Sequence, residues 1–303
     1  MLSLQNISKL KVENLFIEAL KLKENFNQHI LTTNFFHSGY RGTAALLFFE
    51  PSTRTRFSFE TACSRAGFHP LILDGGIGTS LEKGETVEDT ILNIEAMRPL
   101  FFVIRCDDQV DLVTLEEKLK VPVLNAGWGR KGHPTQALLD ALTIFEKWNK
   151  VENKNILFIG DIKHSRVVAS HVELAKILNY NLAFCGPEDF LQSDFGKDFK
   201  NFLSLEDALK WADVAIALRL QKERHDNDGL FLLEDYRESF GLNSGKLRHL
   251  KSDALIMHPG PVNYGIEVET NIHADNRSVI LKQVENGVFI REAIIRQMMK
   301  DQL

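Results

Sequence analysis

The residues with the clearest chemical purpose are Ser52, Thr53, Arg54, Thr55 and Arg56. Three hydroxyls and two guanidiniums occupy five consecutive positions, just after the apolar run Ala44 to Phe49. The run reads as a buried strand, and Phe57 and Cys63 as apolar positions of a helix that follows. A strand-to-helix turn aims free backbone N–H groups and the positive end of a helix dipole at one point. The hydroxyls add donors, and the Arg54 fork fits phosphate oxygens. The stretch therefore predicts a site for a small phosphate. An N-cap cluster beside a solvated arginine is the plainer alternative.

Other candidates are scattered along the chain. Gly75, Gly76, Gly78 and Gly84 make a mobile loop around Ser80 and Lys83, which could swing onto an anion. Composition alone favours an ordinary connecting loop there. Arg105 ends the apolar run Phe101 to Ile104, and strand C-termini are where parallel sheets hold ligands. A surface arginine is the alternative. His133-Pro134-Thr135-Gln136 opens a long helical pattern. Pro134 suits the first turn, and a histidine at a helix start is biased toward its neutral form. It donates one hydrogen bond without charge, or simply caps the helix.

Arg166 lies near a helix start after Gly160, placed to grip a carboxylate bidentately or to be solvated. A lone glycine there is a weak dinucleotide signal, because Gly-x-Gly-x-x-Gly is absent. Arg219 and Gln221 belong to a charged run after another strand pattern, and such runs are usually solvated loops. His258-Pro259-Gly260-Pro261 sets a rigid turn.

The elements that must position these groups alternate. Strands are expected over 44–49, 70–74, 100–105 and 121–125, with helices over 52–66, 85–97 and 112–119. A long helix follows over 133–148. A second series has strands over 155–160, 181–185 and 213–218 and helices over 165–178 and 204–211. Ser204 with Asp207 has the form of a capping box. A first helix is expected within 3–26, and a last one over 288–299. Short apolar runs with long crossovers imply parallel sheets covered on both faces. The fold expected is α/β, with two doubly wound parallel-sheet domains and a cleft between them.

The bulk numbers agree with a soluble globular protein. The chain has 303 residues, 44% hydrophobic and 25% charged, enough for two domains. A net charge of -5 argues against nucleic acid as the main partner. No apolar run reaches membrane-spanning length, and the N-terminus has no signal-peptide core. The three cysteines, Cys63, Cys106 and Cys185, are widely spaced without metal-ligand spacing. They read as reduced, buried thiols of a cytoplasmic protein.

Ser52-Thr53-Arg54-Thr55-Arg56 resembles the carbamoyl-phosphate signature of the aspartate and ornithine carbamoyltransferases. So do Ser80-x-x-Lys83-Gly-Glu-Thr, His133-Pro-x-Gln136 and His258-Pro-Gly-Pro261, in order over nearly the whole chain. The resemblance implies that Ser52, Thr53, Arg54 and Thr55 hold the phosphate of carbamoyl phosphate. Thr55, Arg105 and His133 would reach its carbonyl oxygen. Gln136, Pro259 and Gly260 would meet the carbamoyl nitrogen. Ser80 and Lys83 would reach into a neighbouring subunit's site, which implies a homotrimer with shared sites. Arg54, Thr55, Lys83, Arg105 and His133 would be the catalytic set, with no cofactor and no metal.

Arg219-x-Gln221-x-Glu-Arg resembles the aspartate branch, in which Arg166, Arg219 and Gln221, with Lys83, would bind the two carboxylates of L-aspartate. Ornithine enzymes carry His-Cys-Leu-Pro where this chain has His258-Pro259-Gly260-Pro261. The expected reaction is carbamoyl transfer to the α-amino group of aspartate, early in pyrimidine synthesis. Transfer to another amine such as ornithine, or a non-catalytic scaffold, are the alternatives. A regulatory or dihydroorotase-like partner is left open. Expected boundaries are 1–133 with 286–303 for carbamoyl phosphate and 134–285 for aspartate. Trp128 and Tyr264 depart from the family pattern, which has Gly-Asp-Gly and Arg at those places.

Overall fold

The computed structural model describes residues 1–29, 39, 41–75, 78–191, 199–220 and 233–301. It divides into two compact units, Met1–Leu142 with Val284–Leu303, and Thr143–Gln283.

In the first unit, β1 (Gly42–Phe48), β2 (Phe68–Asp74), β3 (Phe102–Cys106) and β4 (Val123–Trp128) form a parallel sheet in the order β2-β1-β3-β4. Strands β1, β3 and β4 are almost wholly buried, as a two-sided sheet requires. The connections are α2 (Thr53–Arg65), α3 (Val87–Glu95) and α4 (Leu112–Lys118). Thr86 caps α3 by accepting from Asp89 N–H, and Asp111 caps α4 by accepting from Val113 and Thr114.

α1 runs over Lys9–His29, later than the alternating charges from Ser3 suggest. It buries Val12, Leu15, Phe16 and Ala19 at helical spacing. α11 (Ile280–Lys300) belongs to this unit from Val284 onward, burying Phe289, Ile290, Ala293, Ile294 and Ile295. It starts earlier than its apolar stripe suggests, because Lys282, Gln283, Glu285, Asn286 and Gly287 break up the apolar pattern of its first two turns.

Phe57 departs from expectation: it is 52% exposed, with the Arg56 guanidinium 4.8 Å from its ring centroid. Thr55, Ser58 and Phe59 take the inward face of α2 instead. Arg56 pairs with Asp74, tying the helix to edge strand β2.

The second unit holds a parallel sheet of β5 (Asn155–Ile159), β6 (Asn181–Cys185), β7 (Lys200–Phe202), β8 (Val214–Ala217) and β9 (Leu255–Met257) in the order β7-β6-β5-β8-β9. Its helices include α6 (Arg166–Leu178), α8 (Leu205–Trp211) and α9 (Leu233–Phe240), with one-turn α7 (Glu188–Leu191) and α10 (Ser244–Leu247). α5 (Pro134–Trp148) spans the division at Thr143. Ser204 accepts from Asp207 N–H at 3.4 Å, one half of the anticipated capping box. β7 and β9 have three residues each, too short for periodicity to reveal. Among the described residues, no helix is long and apolar enough to cross a membrane.

Candidate active site

Register decides what the first sheet presents. Phe48 of β1 is level with Asp74 of β2 and Arg105 of β3. All strands run parallel, so their carboxy ends share one edge, and every following segment leaves from it. Ser52 is the N-cap residue of α2, in extended conformation, with no side-chain bond to the helix. Its hydroxyl is not used in capping. Thr53 and Arg54 are exposed in the first turn, and Thr55 is buried. Here the first backbone N–H groups of α2 have no partner within the helix.

Arg105 is the next-to-last residue of β3, with its side chain largely enclosed. Its Nη1 lies 3.4 Å from Ala126 O, and its Nε lies 3.5 Å from Glu50 Oε2. Glu50 escaped the sequence reading, although it directly precedes Pro51 and the hydroxyl cluster. Loop 129–133 brings His133 to the start of α5, where it is 4% exposed. Asn125 shapes that approach: its Oδ1 accepts from Gly127 N–H at 2.7 Å, and its Nδ2 approaches Gly132 O at 3.4 Å.

Trp128, the first departure, is 7% exposed in the core. Its indole N–H donates to Val110 O at 2.8 Å, and Lys131 Nζ sits 4.0 Å from its ring centroid. One turn into α5, Gln136 donates through Nε2 to Asp140 Oδ1 at 3.0 Å. Asp140 is fully buried and attracts Arg291, which donates to Ser58 Oγ at 2.8 Å. Burial holds the Arg291 guanidinium down to about 9.

Ser80 and Lys83 stand apart from these groups in sequence order. Both are exposed on a one-turn 3-10 helix, Ser80–Lys83, beyond edge strand β2. Gly84 closes that turn at φ 92, a left-handed conformation that glycine adopts without strain.

In the second unit the same logic applies. Adjacent strands β5, β8 and β9 end on one edge. After β5, Gly160 has φ 118, and a Cβ there would lie 2.6 Å from Tyr236 Oη. Ser165 caps α6 through Val168 N–H, leaving half-buried Arg166 as its first residue. Asp161, buried, braces this loop by bonding His164 Nδ1 at 2.9 Å. Arg219, half-buried, follows β8. Gln221 lies outside the described residues.

After β9, Gly260 N–H donates to His258 Nδ1 at 2.8 Å, and the Gly260–Pro261 peptide is cis. Pro259 and Pro261 have no N–H, so this turn presents only carbonyl acceptors. Tyr264, the second departure, is 47% exposed and bonds His273 Nε2 at 2.8 Å. Sequence reasoning missed Glu267. It is 1% exposed, and it accepts from Leu220 N–H and from Asn263.

The chain can thus offer cationic and hydroxyl donors from one sheet edge, and arginines with carbonyl acceptors from another. The chain is similar to proteins of known name over most of its length. A protein named aspartate carbamoyltransferase catalytic subunit from Pelagibacter ubique is 43% identical over 252 residues, covering 82% of this chain and 80% of that one. One of the same name from Listeria monocytogenes is 35% identical over 306 residues, covering 100% and 96%. The solved aspartate transcarbamoylase from Trypanosoma cruzi, in complex with carbamoyl aspartate and phosphate, superposes with a TM-score of 0.84. It is 28% identical, and the match covers 97% of this chain and 94% of that one.

Residues 1–146 match the carbamoyl-P binding domain of the aspartate/ornithine carbamoyltransferases, and residues 152–298 match their Asp/Orn binding domain. With both domains matched in that order, the chain belongs to the aspartate/ornithine carbamoyltransferase family.

Proposed function

We propose that this chain is the catalytic chain of an aspartate carbamoyltransferase. It transfers the carbamoyl group of carbamoyl phosphate to the α-amino group of L-aspartate, releasing N-carbamoyl-L-aspartate and phosphate. The observation that carries the reading is the shared edge of the first sheet. There the α2 start, Arg105 and the α5 start supply phosphate and oxyanion donors.

In this reading Ser52, Thr53, Arg54 and Lys83 hold the phosphate, with Ser80 beside Lys83. The aspartate amine attacks the carbamoyl carbon, and negative charge grows on the carbonyl oxygen. Thr55, Arg105 and His133 donate to that oxygen. Such preorganised donors favour the transition state over the ground state, each by about 2.7–4 kcal/mol. Gln136 accepts from the carbamoyl nitrogen, because its own N–H already serves Asp140. The carbonyls of Pro259 and Gly260 suit the same N–H donor. Arg166, Arg219 and Gln221, with Lys83, bind the two carboxylates of aspartate, since a dicarboxylate requires more than one cationic fork. Fixing two small substrates in one orientation supplies much of the remaining rate.

The active form is a homotrimer in which Ser80 and Lys83 complete a neighbour's site, working in the cytoplasm at an early step of pyrimidine synthesis. A colorimetric assay for carbamoyl aspartate, on wild type and Arg54→Ala, tests the reading. Wild type should form carbamoyl aspartate, and the variant should lose most turnover. Product from ornithine but not aspartate would reassign the acceptor. Unchanged turnover and carbamoyl-phosphate affinity in Arg54→Ala would remove that residue from the site.

A further inference from the structure

Glu267 sits in a turn of the second unit, outside any strand or helix, yet it is 1% exposed. Its two oxygens receive three short bonds. Oε1 accepts from Leu220 N–H at 2.8 Å and from Asn263 Nδ2 at 2.7 Å. Oε2 accepts from Asn263 N–H at 2.7 Å and lies 3.7 Å from His258 Nε2. Because His258 Nδ1 accepts from Gly260, that nitrogen carries no proton. The ring proton is therefore on Nε2, the side facing Glu267.

These contacts join two segments that leave neighbouring strands. Leu220 is the residue after Arg219, at the exit of β8. His258 and Asn263 bracket the Pro259–Pro261 turn at the exit of β9. Asn263 Nδ2 also reaches Leu220 O at 3.4 Å. Charge-assisted bonds to a buried carboxylate are the strong kind. A glutamine cannot replace them, because it offers one acceptor oxygen and turns an NH2 toward donors.

We infer that Glu267 is a positioning residue, which fixes Arg219 and the carbonyls of the Pro259–Pro261 turn relative to each other. The inference rests on the proposed carbamoyl transfer. It adds that aspartate recognition depends on a carboxylate that itself touches no substrate. Loss of the clamp should loosen the acceptor side while leaving phosphate-side binding intact, since Ser52–Thr55 and Arg105 belong to the first unit.

The test compares wild type, Glu267→Gln and Asn263→Ala. The readouts are kcat, KM for aspartate, and carbamoyl-phosphate affinity by calorimetry. Glu267→Gln should raise KM for aspartate about tenfold or more, as expected when buried donors lose an acceptor. Carbamoyl-phosphate affinity should fall by less, because Ser52–Thr55 and Arg105 in the first unit still hold it and only the Pro259 and Gly260 carbonyls are loosened. Asn263→Ala keeps the carboxylate bonded to Leu220 and should shift KM in the same direction, by less. A merely structural role would lower the active fraction, and hence kcat, with KM for aspartate unchanged. That result overturns the inference. If Glu267→Gln does not fold, the KM of Asn263→Ala decides. A wild type that makes no carbamoyl aspartate would instead refute the functional reading.

Discussion

Gln136 and Asp140, one helical turn apart on α5, share a buried hydrogen bond of 3.0 Å from Nε2 to Oδ1. The bond decides which way the amide points: nitrogen to Asp140, with the oxygen turned away from it, where in the proposed reaction it accepts from the carbamoyl N–H. Asp140→Asn leaves one acceptor oxygen where there were two, and its NH2, when turned toward Gln136, favours the flipped amide. Turnover should fall about tenfold or more, the cost of a mispaired buried donor. Arg291 would also lose its nearby negative charge, so the melting temperature should drop. Full turnover in Asp140→Asn would show that the amide's direction is unimportant.

Arg105 is set between Glu50 and the Ala126 carbonyl at the end of β3. Arg105→Ala should lower kcat by about 10²–10³-fold, the usual loss for one oxyanion donor. Arg105→Lys keeps the charge but not the fork, and should recover only part of it. Steady-state kinetics with both variants would expose a surface role for Arg105 by finding no loss in either.

Lys83 is exposed on its 3-10 turn, whereas the Ser52–Thr55 turn lies at the start of α2. If neighbours complete each other's sites, inactive Arg54→Ala and inactive Lys83→Ala chains should regain activity when mixed and reassembled. Homogeneous preparations of either should stay inactive. No recovery on mixing, with hybrids confirmed by mass spectrometry, would put Lys83 in its own chain's site.

Burial pushes the thiols of Cys63 and Cys185 up to about 12, with Glu60 adding to the shift at Cys63. A thiol reacts as its thiolate, so these two should resist a disulfide reagent at pH 8. Reactivity should grow only as pH climbs toward the raised values. The unfolded chain, whose thiols titrate near 8.5, should release all three cysteines to the reagent at once. Rapid labelling of native protein at pH 8 would contradict this burial.

Gly160 has a left-handed backbone and meets the Tyr236 hydroxyl where a Cβ would stand. Gly160→Ala should destabilise by about 1–3 kcal/mol, from strain and clash together. Adding Tyr236→Phe removes the hydroxyl and should restore part of that loss, leaving the backbone strain. Thermal melts of both single variants and the double variant would reveal additivity if the clash is absent.

The order of most elements was legible in the sequence. Apolar runs long enough to show their period gave β1, β3 and β5, and the density of donors marked Ser52 to Thr55. Phe57 misled, because apolar character alone does not say which side of a first helical turn faces inward. β9 was invisible at three residues, although it feeds His258. Glu50, Asp140 and Glu267 were also missed. Glu50 and Glu267 are single acids whose partners include ones far away in sequence, such as Leu220 for Glu267, and Asp140 meets distant Arg291 as well as Gln136 one turn away. Only packing brings those distant partners to them.

The loops proposed to bind the acceptor all leave one edge of the second sheet, at the ends of β5, β8 and β9, and the β8 and β9 exits are fastened through a single acid. Changing the nucleophile therefore amounts to transplanting a clamped pair of loops rather than editing isolated side chains. A chimaera that exchanges the β8 and β9 exits without also carrying Glu267 and Asn263 would be expected to bind its new amine loosely, whatever arginines it gains.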